Sequence, residues 1–265
     1  MPPIAAFQLH ADHHYTATEL TRGPWDPSHQ HAGPPSALAC RAIEDAAATH
    51  GLSHLSRFTA NLLRPVPIGP LHSVVQSDYV GKNAGHFSGE LVANGKPVLR
   101  FTALAQRENP VDLPANLPGH PWPMAPRAPN ASPVVHMPFH SDRLGYSHLI
   151  ESRSAQGRIF DGPCAIWFRL NHALVEGEPP SPYQRTAVAA DSGNGISAVL
   201  DYQRYTFINS DLTINWLRRP QGEWVCLEAK TWIGDQGCAL AESALYDELG
   251  LIGRATQSLS VRARA

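Results

Sequence analysis

The sequence lacks the features that would tie the chain to an oxidising compartment, a polyanion or a bilayer. Only four cysteines occur in 265 residues, and no two of them form a Cys-x-x-Cys pair. Neither a disulfide framework nor a zinc knuckle is therefore indicated. The formal net charge of -2 gives no electrostatic reason to expect nucleic acid or an anionic membrane as a partner. No apolar run approaches the roughly 20 residues of a membrane span.

Targeting and catalytic signatures are also missing. The N-terminus has no basic region followed by an apolar core, so we expect no signal peptide and a cytoplasmic protein. No Gly-x-Ser-x-Gly elbow is present, which argues against a Ser-His-Asp hydrolase. The run Gly193-Asn194-Gly195 lacks the third glycine of a dinucleotide fingerprint.

Histidines cluster near the N-terminus without companions that would make them metal ligands. The cluster consists of His10, His13, His14, His29 and His31. No carboxylate or cysteine lies at a ligand-like spacing from them, so we expect loop histidines in contact with solvent and no metal site.

The first half of the chain has the pattern of one helix followed by an antiparallel sheet. Residues 36–49 are mostly small helix formers that follow Pro34-Pro35, and proline suits a first helical turn. An opening strand is expected at residues 13–19. Further strands are expected at residues 57–64, 71–80, 86–93 and 98–106, with turns at 81–83 and 94–96. This order predicts an α+β unit whose sheet packs on the helix.

A proline-rich segment separates this unit from a second one. Residues 109–138 contain nine prolines, which exclude a helix or a central strand and indicate a stiff connector. We expect an N-terminal unit at residues 1–108, a linker at 109–150 and a C-terminal unit at 151–265. The second unit should contain a strand at 164–174, a helix from Ser181 towards Ala190, and a helical segment at 196–202. Its remaining strands are expected at residues 206–217, 223–232, 237–246 and 252–262.

The two units match each other at a constant spacing. Four residue pairs share an offset of 154 positions, namely Thr59/Thr213, Arg64/Arg218, Arg100/Arg254 and Thr102/Thr256. The turn glycines Gly95 and Gly250 lie one position off that register. These matches and the similar strand order favour a duplicated unit.

One acidic residue lies where a new helix is expected to start. Asp191 stands between small apolar residues and the run Ser192-Gly193-Asn194-Gly195. Such residues favour helix starts, where free amides point outward and a carboxylate is stabilised. Asp191 is therefore either an ordinary turn residue or a carboxylate placed for chemistry.

Several short motifs occur across the two halves. The first half contains Leu62-Leu63-Arg64-Pro65, Asn94-Gly95-Lys96-Pro97-Val98 and Thr102-Ala103-Leu104-Ala105-Gln106. The second half contains Ala190-Asp191-Ser192, Asp211-Leu212-Thr213 with Arg218, and Ala255-Thr256-Gln257. On these motifs the chain, except its linker, resembles the acyl-CoA thioesterase II family, in which each half of a double hotdog fold wraps an antiparallel sheet around a long helix. Two further runs, Arg22-Gly23-Pro24-Trp25 and His31-Ala32-Gly33-Pro34-Pro35, are more similar to the actinobacterial branch.

The resemblance implies an acid, a hydroxyl residue and a glutamine that hold the attacking water. Asp191 matches the acid and Gln257 the glutamine. The hydroxyl position falls on Asn209, and Thr213 is the nearest hydroxyl on that expected strand. Strand alternation would put both on one face, so both remain candidates.

The start of the first helix is the candidate oxyanion and substrate-binding region, with Gly33 and His31. Glycine lets a substrate approach the backbone closely, and helix-start amides can stabilise a developing oxyanion.

The implied activity is hydrolysis of acyl-CoA to fatty acid and CoA without a cofactor, by a homo-oligomer. Two alternatives remain open. A non-catalytic acyl-CoA or acyl-chain binding protein is favoured by Asn209 in the hydroxyl position. A hotdog enoyl-CoA hydratase is weakly suggested by residues 27–31, although that family's loop carries Asn and Asp where Asp26 and His31 stand.

Overall fold

The computed structural model describes residues 4–11, 13–137 and 142–264. Within these ranges the strands all belong to one extended sheet. The strands are β1 (Ala5–Leu9), β2 (His14–Ala17), β3 (His54–Leu62), β4 (Pro70–Val80), β5 (Ala84–Ala93), β6 (Lys96–Gln106), β7 (Val134–Val135), β8 (Ile150–Gln156), β9 (Cys164–Leu170), β10 (Ala173–Val175), β11 (Tyr205–Asn209), β12 (Asp211–Trp216), β13 (Val225–Ile233), β14 (Cys238–Asp247) and β15 (Gly250–Ala263).

The helices are few, and only α1 is long. They are α1 (Gly33–Ala48), α2 (Tyr146–Leu149), α3 (Pro182–Ala190) and α4 (Gly193–Ser197), with single 3-10 turns at Glu19–Thr21 and Pro129–Ala131. None of the helices in the described ranges is long and apolar enough to cross a membrane. The predicted α+β organisation, with one long helix in the first half, is therefore observed.

The two halves of the chain share the sheet. Its order is β10-β1-β2-β4-β5-β6-β3 for the first part and β12-β15-β14-β13-β9-β8-β7 for the second, with β11 paired to β15. The pairs are antiparallel except β1 with β10. That exception carries a strand of the second half to the outer edge of the first. The second half therefore contributes the edge strand of the first.

The halves meet at the antiparallel pair β3–β12, where the duplication becomes visible in three dimensions. Thr59 pairs with Thr213, and their hydroxyl groups are hydrogen-bonded at 3.1 Å. These are the two residues that the 154-residue offset relates. A residue that pairs with its own counterpart marks the position of a local two-fold axis.

The duplication extends to the irregularities of the strands. The pairing of β3 with β6 slips by one residue between Leu55 and Arg57. In the second half, the pairing with β15 slips by one residue between Asn209, at the end of β11, and Thr213 in β12. The 154-residue offset relates Leu55 to Asn209, so the same bulge occurs at the same place in both copies.

This bulge corrects the expectation that Asn209 and Thr213 share one face. A one-residue slip moves the following side chains to the opposite face of a sheet. Asn209 stands opposite Leu259, on the buried side of β15 that also carries Gln257. Thr213 stands opposite Thr256, which is exposed.

Close packing of the helices α1 and α3 also brings the two halves together. The buried face of α1 is built from small residues such as Ala37 and Ala39, and α1 packs against α3. A Cβ atom at Gly33 would lie 2.5 Å from the carbonyl oxygen of Val188. Glycine at the start of α1 is therefore required for this approach.

The proline-rich segment runs along the second half and ends in short elements. Trp122 lies under the Arg218 guanidinium, 4.7 Å from it, and Leu251 donates a backbone hydrogen bond to Pro123. The strand β7 lies at the edge of the sheet, which is the position that a strand within a proline-rich segment can take. The expected linker nevertheless includes α2, and Pro138 lies outside the described residues.

Three local predictions differ from the structure. The strand β1 precedes the expected opening strand, and β8 was not anticipated because its polar sequence, Ile-Glu-Ser-Arg-Ser-Ala-Gln, has weak strand propensity. The helical segment expected at 196–202 lies at Gly193–Ser197 instead, shortly after the end of α3.

The pair Arg218–Asp247 generates a prediction about stability. Two hydrogen bonds of 2.6 Å join the guanidinium to the carboxylate, and Asp247 is 0% exposed. Arg218→Ala should lower the free energy of unfolding by about 3–5 kcal/mol, because it leaves a buried charge unpaired. Urea denaturation would measure the change.

The duplicate position provides the control. Arg64 is exposed, so Arg64→Ala should change the free energy of unfolding by less than about 0.5 kcal/mol. Equal effects at the two positions would contradict the assignment of Arg218 as a structural residue.

Candidate active site

The candidate site is centred on a buried carboxylate at the end of a helix. Asp191 ends α3 in helical conformation, and Ser192 links it to α4. The Asp191 side chain is 3% exposed. It therefore lies at a junction of two short helices, and the expectation that it directly starts a helix is corrected by one residue.

Two amide side chains hold one oxygen of this carboxylate. Asn209 donates from Nδ2 to Asp191 Oδ1 at 2.8 Å. Gln257 donates from Nε2 to the same oxygen at 3.2 Å and to the Asp191 carbonyl at 3.1 Å. The Gln257 Oε1 atom in turn accepts the backbone N–H of Asn194 at 3.1 Å. Because each partner donates to a charged group, these are the stronger class of hydrogen bond.

The second carboxylate oxygen contacts the first half of the chain. The Nδ1 atom of His31 lies 3.0 Å from Asp191 Oδ2 and 3.1 Å from the backbone nitrogen of Gly33. The imidazole is stacked flat on Tyr146, with ring centroids 3.7 Å apart and an interplanar angle of 2°. Five of the predicted site residues, Asp191, Asn209, Gln257, His31 and Gly33, are thus brought together.

Tyr146 is a neighbour of the cluster that the sequence did not indicate. Its hydroxyl lies 2.9 Å from both the carbonyl oxygen of Val188 and the hydroxyl of Ser192. Burial raises its pKa well above the usual value, the hydrogen bond with Ser192 lowers it in part, and the nearby Asp191 charge raises it further. The phenol is therefore neutral at physiological pH. Its position inside the expected linker gave no signal of this role.

Thr213 does not join the cluster. It is hydrogen-bonded to Thr59 at the junction of the two halves, and it does not line the cavity beside Asp191. The one-residue slip that separates β11 from β12 accounts for this, since it turns Thr213 to the opposite face.

A cavity of about 910 Å³ opens beside the cluster. Asp191, His31 and Asn209 are part of its wall. Apolar residues provide another part: Trp25, Leu62, Leu63, Val66, Met137, Phe207 and Ile208. Basic residues also line it: Arg22, Arg64, Arg143 and Arg264. The cavity therefore combines an apolar wall with several positive charges and one buried carboxylate.

The described residues contain no cluster of three or more His, Cys, Asp or Glu side chains that could hold a metal ion. The N-terminal histidines are spread over the described part of the chain: His14 stacks on His72, His29 lies 3.6 Å from Asp26, and His31 contacts Asp191.

Two family comparisons cover most of the chain. Residues 21–106 match the acyl-CoA thioesterase N-terminal domain, and residues 114–261 match the acyl-CoA thioesterase C-terminal domain. The chain belongs to the acyl-CoA thioesterase family. It is accordingly a thioester hydrolase. A comparison with curated proteins found no match.

Solved structures of similar shape support the fold of this acyl-CoA thioesterase family member. A candidate thioesterase II from Thermobifida fusca YX has a TM-score of 0.73 at 14% identity, covering 98% of this chain and 96% of that one. A hot dog fold protein of unknown function from Alicyclobacillus acidocaldarius has a TM-score of 0.70 at 16% identity, covering 99% and 97%. An acyl-CoA thioesterase II, TesB2, from Mycobacterium marinum has a TM-score of 0.64 at 14% identity, covering 99% and 96%. The protein therefore has a hot dog fold.

The two glycines of α4 predict opposite responses to an added methyl group. A Cβ atom at Gly193 would lie 2.9 Å from Ser243 Oγ and 3.0 Å from Gln257 Oε1, whereas nothing lies within 4 Å of one at Gly195. Gly193→Ala should lower the free energy of unfolding by about 1–3 kcal/mol through overpacking.

The matched change Gly195→Ala should be neutral or stabilising by up to about 1 kcal/mol, because alanine is the better helix former. Chemical denaturation of both variants checks the pair. The same loss of stability in both would show that Gln257 is not held against α4.

Proposed function

We propose that this family member is a double hotdog acyl-CoA thioesterase, which hydrolyses acyl-CoA to free fatty acid and CoA with water activated by Asp191. The observation that carries the proposal is the buried Asp191 carboxylate at the wall of the large cavity, with Asn209, Gln257 and His31 around it. Hydrogen bonds from Asn209 and Gln257 hold this carboxylate in a fixed orientation.

The double hotdog interpretation is supported by the internal duplication. Each half provides helices and an antiparallel sheet, and the two sheets join through β3–β12 about a local two-fold axis. The cavity wall draws on both halves, since His31 comes from the first and Asp191 from the second. We therefore propose residues 1–108 and 151–265 as the two hotdog units and 109–150 as their connection.

The chemistry requires no covalent nucleophile. Water attacks the thioester carbonyl carbon while its proton moves towards the negative charge of Asp191. The carbonyl oxygen becomes negatively charged and needs a donor that is already in place. The carbon–sulfur bond then breaks, and CoA leaves as the thiol once its sulfur is protonated.

The cavity wall suits the two ends of an acyl-CoA. Its apolar residues match an acyl chain, and its arginines match the phosphate groups of CoA. Arg64, Arg143 and Arg264 are exposed and are therefore accessible to an anionic ligand. The duplicate of Arg64, Arg218, is committed to Asp247 and is not a candidate for this contact.

A second candidate function is binding of acyl-CoA without catalysis. It is favoured by one observation, an amide rather than a hydroxyl at Asn209. The amide still donates a hydrogen bond to Asp191, which supports the enzymatic proposal instead. A hydratase would add water to an enoyl-CoA and release no thiol. Cytoplasmic location and a homo-oligomeric state remain predictions.

The central prediction concerns Asp191→Asn. The neutral amide removes the negative charge that favours proton transfer from water, so thiol release from acyl-CoA should fall by about 100-fold or more. A thiol-reactive chromophore with acyl-CoA substrates of short to long chain measures the rate. Asp78→Asn, an exposed residue of β4, is the control and should retain the wild-type rate. A rate of Asp191→Asn equal to that of the wild type would contradict the proposal.

A second prediction separates Asn209 from Thr213. Asn209→Leu should lower kcat by about 10- to 100-fold, because a hydrogen bond to a charged group contributes about 1.5–3 kcal/mol. Thr213→Val keeps the shape of the side chain and should leave kcat unchanged, since the residue lies on the opposite face. Steady-state kinetics of both variants measures the two effects on kcat. A larger loss of kcat in Thr213→Val than in Asn209→Leu would make Thr213 the third site residue.

A further inference from the structure

The His31 ring nitrogen Nδ1 has two neighbours that make incompatible demands. It lies 3.0 Å from Asp191 Oδ2, an acceptor, and 3.1 Å from the Gly33 N–H, a donor. A protonated Nδ1 can donate to Asp191 but cannot accept from Gly33, and an unprotonated Nδ1 has the opposite property. The two hydrogen bonds therefore exclude each other.

The carboxylate is the stronger of the two partners. A hydrogen bond to a charged group is roughly twice as strong as one between neutral groups. The favoured neutral tautomer of His31 therefore carries its proton on Nδ1. Its other nitrogen, Nε2, then has a free lone pair and can accept a proton.

The Nε2 atom is also the accessible basic group of the site. It has no hydrogen-bond partner among the residues that the structure describes, and the His31 side chain lines the cavity with 15% of its surface exposed. The Asp191 side chain is 3% exposed, and both of its oxygens already have partners. A water in the cavity therefore meets the imidazole more readily than the carboxylate.

The imidazole is fixed in place. Its flat stacking on Tyr146 restricts rotation of the ring, and the Tyr146 hydroxyl is anchored by Val188 and Ser192. A base whose orientation is set by a carboxylate on its far nitrogen is the arrangement that activates a nucleophile in many hydrolases.

We propose that His31 is the catalytic base that takes the proton of the attacking water, with Asp191 acting through it. This inference rests on the proposed thioesterase function and names the route of the proton. The water oxygen forms a bond to the thioester carbon as its proton passes to Nε2. The tetrahedral intermediate then breaks its carbon–sulfur bond, the electron pair goes to sulfur, and Nε2–H protonates it to the thiol. The carboxylic acid product ionises in solvent.

The same tautomer frees the Gly33 amide. Once Nδ1 donates to Asp191, the Gly33 N–H no longer has Nδ1 as an acceptor. Gly33 is the first residue of a 16-residue helix. It is buried and does not belong to the cavity wall.

The charged and titratable groups around His31 come from two helices and from the cavity wall. The ionisable groups that face it are Asp191, from the end of α3, and Tyr146, from α2. The other charged or titratable residues of the cavity wall are Arg22, Asp26, His29, Arg64, Arg143 and Arg264.

The decisive variant is His31→Asn, whose amide can still donate to Asp191 but cannot accept a proton at the Nε2 position. It should lower kcat by about 100-fold or more with little change in KM, and the acidic limb of the kcat pH profile should disappear. His86→Asn, an exposed histidine of β5, is the control and should match the wild type. A His31→Asn variant with a near-wild-type rate, or with a reduced rate and an unchanged pH profile, would overturn the inference.

Chemical rescue tests the role independently of folding. His31→Ala should recover activity when imidazole is added, and the recovered rate should rise with the basicity of substituted imidazoles. A purely structural role for the ring predicts no rescue, and that result would also overturn the inference.

A spectroscopic readout separates this inference from the proposed function. Nitrogen-15 NMR of histidine-labelled protein, with the His31 signals assigned by their absence in His31→Asn, should show the Nδ1–H tautomer in the resting protein. An Nε2–H tautomer would contradict the inference even in an active enzyme. A wild type that releases no thiol from any acyl-CoA would instead contradict the proposed function itself, and with it the route of the proton.

Discussion

The antiparallel pairing of β3 with β12 is the constraint on which the rest of the molecule depends. It joins two sheets into one and sets a local two-fold axis at Thr59 and Thr213. That axis fixes how α1 approaches α3, and Gly33 permits the contact with Val188. Only because the helices meet in this way does His31 of the first half reach Asp191 of the second. The candidate site is thus a product of the junction between the halves.

A single-residue bulge then decides which polar side chain completes the site. Without the one-residue slip in strand pairing between Asn209 and Thr213, these two side chains would share a face of the sheet. With it, Asn209 turns inward beside Gln257 and donates to Asp191, while Thr213 turns outward. Bulges near active sites commonly redirect a side chain in this manner. The cost of an extra unpaired residue in the strand is offset by hydrogen bonds to a buried carboxylate.

Much of the fold was predictable because local patterns agree with it. The helix of small residues, the hairpin turns and the 154-residue offset are properties of the sequence that survive in three dimensions. Asp191, Gln257 and Asn209 were found through a family resemblance, since composition does not distinguish them from turn or strand residues. The face of Thr213 was not predictable, because a bulge leaves no mark in a pattern of alternation. Tyr146 was missed because its position depends on tertiary packing of a segment with weak local signals.

The duplicate positions of the candidate site show that its polar residues occur in one copy. At the strand positions related by the 154-residue offset, Asn209 corresponds to Leu55 and Gln257 to Ala103, and both counterparts are buried apolar residues. Arg64 faces the cavity, whereas Arg218 is bound to Asp247. A buried carboxylate without donors would be unstable, and these two positions of the first half offer none. The two halves therefore share their strand order and bulge, whereas the amide donors to a buried carboxylate stand in the second half.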